Sequence, residues 1–370
     1  MKYLKLFKIH SDYEEYINGG GAVLPNVSYT EDKRSIYYNP WKPHDYSQDY
    51  FTMRVTVGGD VTWTGIQNNA LYYSKDNGKT WSEPSVNITL SVNKGDKVLW
   101  KGETSPTDNG IGAFNDSTDV RYTVEGNVMS LLFGDDFKGQ TSLENNAFYK
   151  LFYKNKNITS AENLSLPATT LADFCYSNMF SGCTSLTTAP ELPATTLATY
   201  CYQMMFSGCT SLTTAPELPA TTLANSCYYW MFGGCTSLTT APELPATTLA
   251  EECYSFMLYG CTSLTTAPEL PATTLANGCY ACMFYGCTSL TTAPELPATT
   301  LANKCYQMMF YGCTNLNYIK CLATDTSATD CVFNWVTNVA STGTFVKNPN
   351  MSSWPTGTSG IPTGWTVVDA

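Results

Sequence analysis

Residues 166–321 repeat one 26-residue phrase six times in succession, opening on Leu-Pro-Ala-Thr-Thr-Leu-Ala at Leu166, Leu192, Leu218, Leu244, Leu270 and Leu296. A fixed period of that length marks units too small to bury their own apolar residues, so each must stack on its neighbours. Every copy reads LPATTLAxxCYxxMFxGCTSLTTAPE, which puts cysteine at 175, 201, 227, 253, 279 and 305 and again at 183, 209, 235, 261, 287 and 313.

Spaced at 100° per residue, Leu171, Ala172, Cys175, Tyr176, Met179 and Phe180 share one half of a helical wheel and barely change between copies, apart from Leu258 in place of the Phe. Positions 173, 174, 177, 178 and 181 share the other half and do change. This predicts an amphipathic helix with a buried constant stripe and a solvated variable one. The second half, CTSLTTAPEL, has the apolar and Thr content of one short parallel strand per copy. Pro190 offers no N–H to a ladder, so a bulge or early strand end is expected there. The expected fold is a multidomain chain: an N-terminal arm, a β-sandwich, then an α/β repeat solenoid with caps.

Phe180-x-Gly-Cys183-Thr-Ser-Leu186 leading into Leu192-Pro193 resembles the BspA-like leucine-rich repeats of Bacteroides-type surface proteins and their phages. The resemblance spans roughly 148–345 and implies a leucine-rich-repeat scaffold whose ligand differs from protein to protein.

The formal charge of −11 and pI near 4.6 disfavour nucleic acid or an anionic membrane as partner, since both need clustered Lys and Arg. Between 166 and 321 only Lys304 and Lys320 face eight acids. Twelve of the fifteen cysteines sit at the two repeated positions and none precedes Cys175. They read as reduced, buried thiol ladders, with Cys282, Cys321 and Cys331 as extras and Cys282 on the variable face. The opening MKYLKLFKIH breaks any apolar core with lysines and reads as no signal peptide. No run approaches the length of a membrane span. A repeat protein with no export signal fits a virion component assembled in the host cytoplasm, with a bacterial cell-surface location as the alternative.

Residues 1–46, with Gly19-Gly20-Gly21 and scattered aromatics, read as a docking arm that orders on a partner. They resemble N-terminal sequences of structural fibre and appendage proteins of Bacteroides phages, including crAss-like ones, and the C-terminal segment resembles such proteins as well. Residues 47–147 hold the alternating runs FTMRVTV, VTWTGI, ALYYS, VNITLSV, KVLWKG, VRYTVEG and VMSLLFG between turn clusters, which predicts an antiparallel β-sandwich. Within it, Ser74-Lys-Asp76-Asn-Gly78-Lys-Thr-Trp81 resembles an Asp-box hairpin. The resemblance implies a structural role for Asp76, Gly78 and Trp81. Residues 148–165 echo a repeat imperfectly, with Phe152, Asn155 and Ile158 at the Phe, Cys and Leu places, and read as the amino-terminal cap. Residues 322–345 read as the other cap, and 346–370 as a turn-rich tail, similar to the closing segment of BspA-like proteins, that folds back through Trp354 and Trp365.

No catalytic constellation is apparent. His10 and His44 lie in the arm without a nucleophile, and the adjacent pairs Asp135-Asp136 and Glu14-Glu15 diverge by geometry. Cys279-x-x-Cys282 has zinc spacing but no second pair. No phosphate loop or dinucleotide fingerprint occurs. The chain is expected to be no enzyme, with no cofactor and no metal; a glycosidase would rest on the Asp box alone. The binding expectation falls on the variable face, where Phe174, Tyr200, Tyr229, Trp230, Phe256, Tyr259, Tyr285 and Tyr311 stand among Ser, Asn, Gln and Gly, a paratope-like mixture. Such rings suit stacking on sugars or seating a protein. The rival surface is the ladder of Thr187, Thr188 and Glu191, whose stacked glutamates 191, 217, 243, 269 and 295 would repel unless solvated. The leading expectation is a phage fibre or appendage held to other virion proteins through 1–46, with the solenoid on a host surface glycan or protein. The resemblance further implies a homo-oligomer, with a trimer as the expected state. A bacterial surface adhesin and a structural spacer are the alternatives.

Overall fold

The computed structural model describes residues 44–116, 118–351 and 353–370, with two short strands nearer the amino terminus. These residues form two units, Met1–Asp45 and Tyr46–Ala370. In the first, β1 (Ser28–Tyr29) pairs antiparallel with β2 (Ile36–Tyr37). The rest of the expected docking arm up to residue 43 lies outside the described residues.

In the second unit the alternating runs become β3 (Phe51–Val57), β4 (Gly59–Gly65), β5 (Leu71–Ser74), β6 (Asn87–Val92), β7 (Lys97–Gly102), β8 (Gly112–Phe114) and β9 (Arg121–Asn127). Period two is plain in β6, where Ile88, Leu90 and Val92 turn inward between exposed residues. A three-stranded sheet has the order β6-β4-β8, and a five-stranded sheet the order β10-β9-β3-β7-β5, with β10 (Ile158–Ser165) at its edge. Phe51 and Trp100 of the larger sheet meet Phe114 of the smaller at ring separations of 5.7 and 5.1 Å.

Two expectations are corrected here. The run 128–134 is no strand: the Asn127 side chain accepts the Met129 N–H, and the chain coils into one helical turn, α1 (Ser130–Phe133). The larger sheet is mixed, not antiparallel throughout, because β10 lies parallel to β9. That pairing joins the sheets to the repeats. The buried Asn155 amide donates to Phe114 O (2.9 Å), Asp116 (2.9 Å) and the Tyr122 hydroxyl (2.8 Å), while Phe152 packs between Phe114 (5.7 Å) and Phe180 (5.2 Å). One continuous core runs from Phe51 to Trp365.

The helix expected in each copy is also absent; α1 is the only α-helix among the described residues. Each first half is a run of overlapping turns. Alternate N–H groups bond three residues back, as Cys175 to Ala172 O and Ser177 to Phe174 O. Those between them bond to the next copy, as Phe174 to Thr199 O, Tyr176 to Cys201 O and Asn178 to Gln203 O. Every fourth residue takes positive φ: Phe174 (56°), Asn178 (59°) and Gly182 (77°). Side chains therefore alternate two in and two out, with Cys201, Tyr202, Met205, Phe206 and Cys209 buried and Gln203, Met204, Ser207 and Gly208 half-exposed. A period of four drifts from 3.6 by only 40° per turn, so over nine residues it fills the same half-wheel as a helix.

The expected strand is reduced as well. Copies meet through isolated parallel bridges such as Thr170 to Thr196 and Thr214 to Thr240, and full strands occur only at the ends. Inside the stack, Tyr176, Tyr202, Tyr228, Tyr254, Tyr280 and Tyr306 form one column with rings 5.7 to 6.1 Å apart. All fifteen cysteines are free and buried. In the second ladder each thiol donates to a carbonyl of the preceding copy, as Cys209 Sγ to Phe180 O and Cys235 Sγ to Phe206 O, both at 3.1 Å. At the far end β11 (Tyr318–Cys321), β12 (Thr344–Lys347) and β13 (Thr366–Asp369) make a parallel sheet. Trp354 stacks on the buried Trp335 at 5.7 Å, and Trp365 Nε1 donates to Ala340 O.

Candidate binding face

The two-out positions of successive coils line up in columns, because each coil hydrogen-bonds to the next in register. One column holds Asn178, Met204, Trp230, Phe256, Cys282 and Met308, and a second Ser181, Ser207, Gly233, Tyr259, Tyr285 and Tyr311. The first is built on left-handed backbone, with φ between 50° and 59° at all six residues. That region is uncommon for bulky side chains. Here the inter-coil bonds hold it.

The eight aromatic residues expected to bind are all half-buried, and the structure divides them. Phe174 and Tyr200 make one stacked pair at 4.9 Å. Tyr229, Trp230, Phe256, Tyr259, Tyr285 and Tyr311 make one continuous ridge. Trp230 lies 4.6 Å from Phe256 and 4.9 Å from Tyr259, and the row continues from Tyr259 to Tyr285 (4.7 Å) and from Tyr285 to Tyr311 (4.6 Å). Tyr229 flanks it, 5.5 Å from Phe256. Trp230 enters the tyrosine column by lying over Gly233, where a Cβ would sit 2.0 Å from its ring.

Because the rings stack on one another along the row, their faces are largely spent on each other. Burial, and after it the Glu252 carboxylate, pushes the Tyr229 phenol up from its ordinary value. The ridge is an amphipathic strip of aromatic rings, four of its six residues carrying a phenol. Cys282, placed by sequence on the variable face, is buried within its column, and burial pushes its thiol up to about 11.

Sequence reasoning missed the first coil's share of this face. Phe148 stacks on Tyr176 and Phe152 on Phe180, so the offset there is 28 residues, two more than the repeat. That offset brings Tyr149 into the column of Tyr229, Tyr153 into that of Tyr259, and Lys150 into that of Trp230.

On the rival surface, Glu191, Glu217, Glu243, Glu269 and Glu295 are all exposed, and Glu295 pairs with Lys320 at 3.1 Å. A proline-lined groove of about 430 Å³ opens there between Pro268, Pro271, Pro294 and Pro297. In the Asp-box hairpin, Asp76 accepts from Thr80 N–H (2.9 Å), Thr80 Oγ1 (2.6 Å) and Ser74 Oγ (2.7 Å). Those bonds, led by the Thr80 hydroxyl, hold its carboxyl down to about 2. Asn77 and Gly78 take positive φ, and Trp81 packs edge-on to Tyr50 at 5.1 Å beneath the Lys101 ammonium at 4.4 Å. Among the described residues no group of three or more His, Cys, Asp or Glu side chains is placed to hold a metal ion. No helix among them is long and apolar enough to cross a membrane.

Stacked 26-residue units with constant apolar columns and a variable outward face define a leucine-rich-repeat protein. A family model described as the BspA type leucine rich repeat region matches six copies over residues 137–242 and 252–348, more than half of the chain, and the chain belongs to that family. No curated protein matches it. Repeats of this type suggest a surface-binding, adhesin-like protein.

Proposed function

We propose that the chain is an adhesin-like binding protein whose solenoid of repeats presents the ridge of Tyr229, Trp230, Phe256, Tyr259, Tyr285 and Tyr311 to a glycan or protein on another surface. The observation that carries this is the ridge itself. Six aromatic side chains are half-exposed and locked ring to ring at outward positions that other copies fill with Ser, Gln, Ala, Gly, Asn, Met or Cys. Rigid aromatics of this kind dominate interface energetics because little side-chain freedom is lost on binding. The reading is non-catalytic. Attachment to a virion through 1–46, as a fibre or appendage protein in a homo-oligomer, is the finer form of the proposal and is supported by the sequence resemblance of that segment and of the tail.

The test is alanine at Tyr229, Trp230, Phe256 and Tyr259 together. Binding of the full chain to bacterial cells should fall to background while circular dichroism keeps the folded signature. Unaltered binding overturns the reading and moves the role to the threonine-and-glutamate surface.

A further inference from the structure

The first coil of the stack differs from all that follow. Its outward positions carry Tyr149, Lys150, Tyr153 and Lys154. Lys150 Nζ lies 4.8 Å from the Tyr149 ring and 5.2 Å from that of Tyr153, and Lys154 Nζ lies 4.9 Å from the Tyr153 ring. The ion pairs among the described residues use Arg54, Lys75, Lys101, Lys320 and Lys347, so neither ammonium is neutralised by a carboxylate. Both lysines are held at φ 59°. The place of Lys154 is taken by glycine in the next six coils, at Gly182, Gly208, Gly234, Gly260, Gly286 and Gly312, all with positive φ. Gly182 also makes room for the lysine stem, since a Cβ there would meet Lys154 Cγ at 3.0 Å. A backbone position that favours glycine holds a cation at the single coil where the face begins.

Resting on the binding face proposed above, we propose that its ligand is an acidic polysaccharide, carboxylated or sulfated, that lies along the stack with an acid group on Lys150 and Lys154. Ammonium groups already seated on tyrosine rings are pre-placed point charges for such a group. Tyr259, Tyr285 and Tyr311 repeat a phenol at ring steps of 4.7 and 4.6 Å along the same face. A linear polymer bearing hydroxyls on every unit meets that short regular step with one group after another along the face.

The test measures binding of the full chain to immobilised polygalacturonate and dextran sulfate, with neutral dextran as control, at low and high ionic strength. At least one acidic polymer should bind in a salt-sensitive way and dextran should not. Lys150→Gln with Lys154→Gln should weaken binding at least about tenfold, and the paired arginine variants should retain it. Lys154→Gly separates ligand from fold, because it should raise Tm by roughly 1–2 °C while weakening binding. Failure of both acidic polymers to bind, or binding untouched by the glutamine pair, overturns the proposal, as does lysine-dependent binding found only with an acidic protein. None of these bears on the ridge, whose own test is cell binding by the four-alanine variant.

Discussion

The Trp230 indole lies against Gly233 of its own coil so closely that a Cβ on that glycine would sit 2.0 Å from ring atoms Cδ1 and Nε1. The same position carries Ser181 and Ser207 in earlier copies and Tyr259, Tyr285 and Tyr311 in later ones. Gly233 therefore lets a residue from the neighbouring column begin the tyrosine row. Gly233→Ser should displace Trp230 from Phe256 and Tyr259 and cost about 1–3 kcal/mol, the worth of two aromatic pairs. In a Trp230→Ala background the same substitution should cost nearly nothing. Thermal melts of the four proteins check the cycle, and equal costs in both backgrounds would mean that Gly233 matters for its backbone alone.

Asn155 carries the join between the sheets and the repeats. It stands where later copies have a cysteine of the second ladder, and its amide satisfies Phe114 O, Asp116 and Tyr122 at once. Asn155→Cys restores the repeat consensus but removes the donor to the buried Phe114 carbonyl and Tyr122 hydroxyl and one donor to the half-buried Asp116, so it should destabilise by about 2–4 kcal/mol. Urea unfolding gives the value, and a neutral result would mean that water or a neighbour replaces the amide.

Much of this was legible in the sequence and some was not, for identifiable reasons. The strands β3 to β7 and β9 follow from period-two runs, and the stack and its thiol ladders from the 26-residue period. The helix was misread because Cys175, Tyr176, Met179 and Phe180 fit a period of 3.6 as well as one of four over so short a span. Positive φ at Phe174 and Trp230 leaves no trace in residue type. Gly182 and its five counterparts are the one visible mark of it. The aromatic residues of the ridge stand out in the sequence as variable positions, but their stacking into one row does not, and Tyr149, Lys150, Tyr153 and Lys154 were passed over because their coil reads as a cap.

In the Asp-box hairpin, Asp76 bonds to Thr80 and Ser74 hold the folded carboxyl at about 2, below its ordinary 3.8. A depressed folded pKa contributes stability above the unfolded value and loses it as pH falls through the folded one, so the hairpin should stay closed down to about pH 3 and open below 2. Asp76→Asn should show the open state at neutral pH. Amide exchange over 74–81 reads both, and equal protection in variant and parent would sink the idea.

The buried thiols make the strongest prediction, and its sign is opposite. Burial pushes Cys261, Cys279, Cys313 and Cys321 up to about 12, with Cys175 and Cys209 well above their ordinary value for the same reason. Above pH 9, the ordinary thiol value, the unfolded chain releases these protons while the folded one keeps them. Stability is then full below about pH 9 and lost progressively toward 12, by about 1.4 kcal/mol per pH unit for each fully buried thiol. All fifteen cysteines are buried, so these losses act in the same direction. The protein should therefore unfold between about pH 9 and 11, and below that range Ellman's reagent should find almost no reactive thiol until denaturant is added. Replacing Cys209 and Cys235 with alanine should make the alkaline transition shallower even though it lowers stability at pH 7. Circular dichroism against pH, with thiol titration alongside, measures both. A folded protein at pH 11, or stoichiometric disulfides in the unreduced chain, would show that the ladders are not the protonated thiols their burial implies.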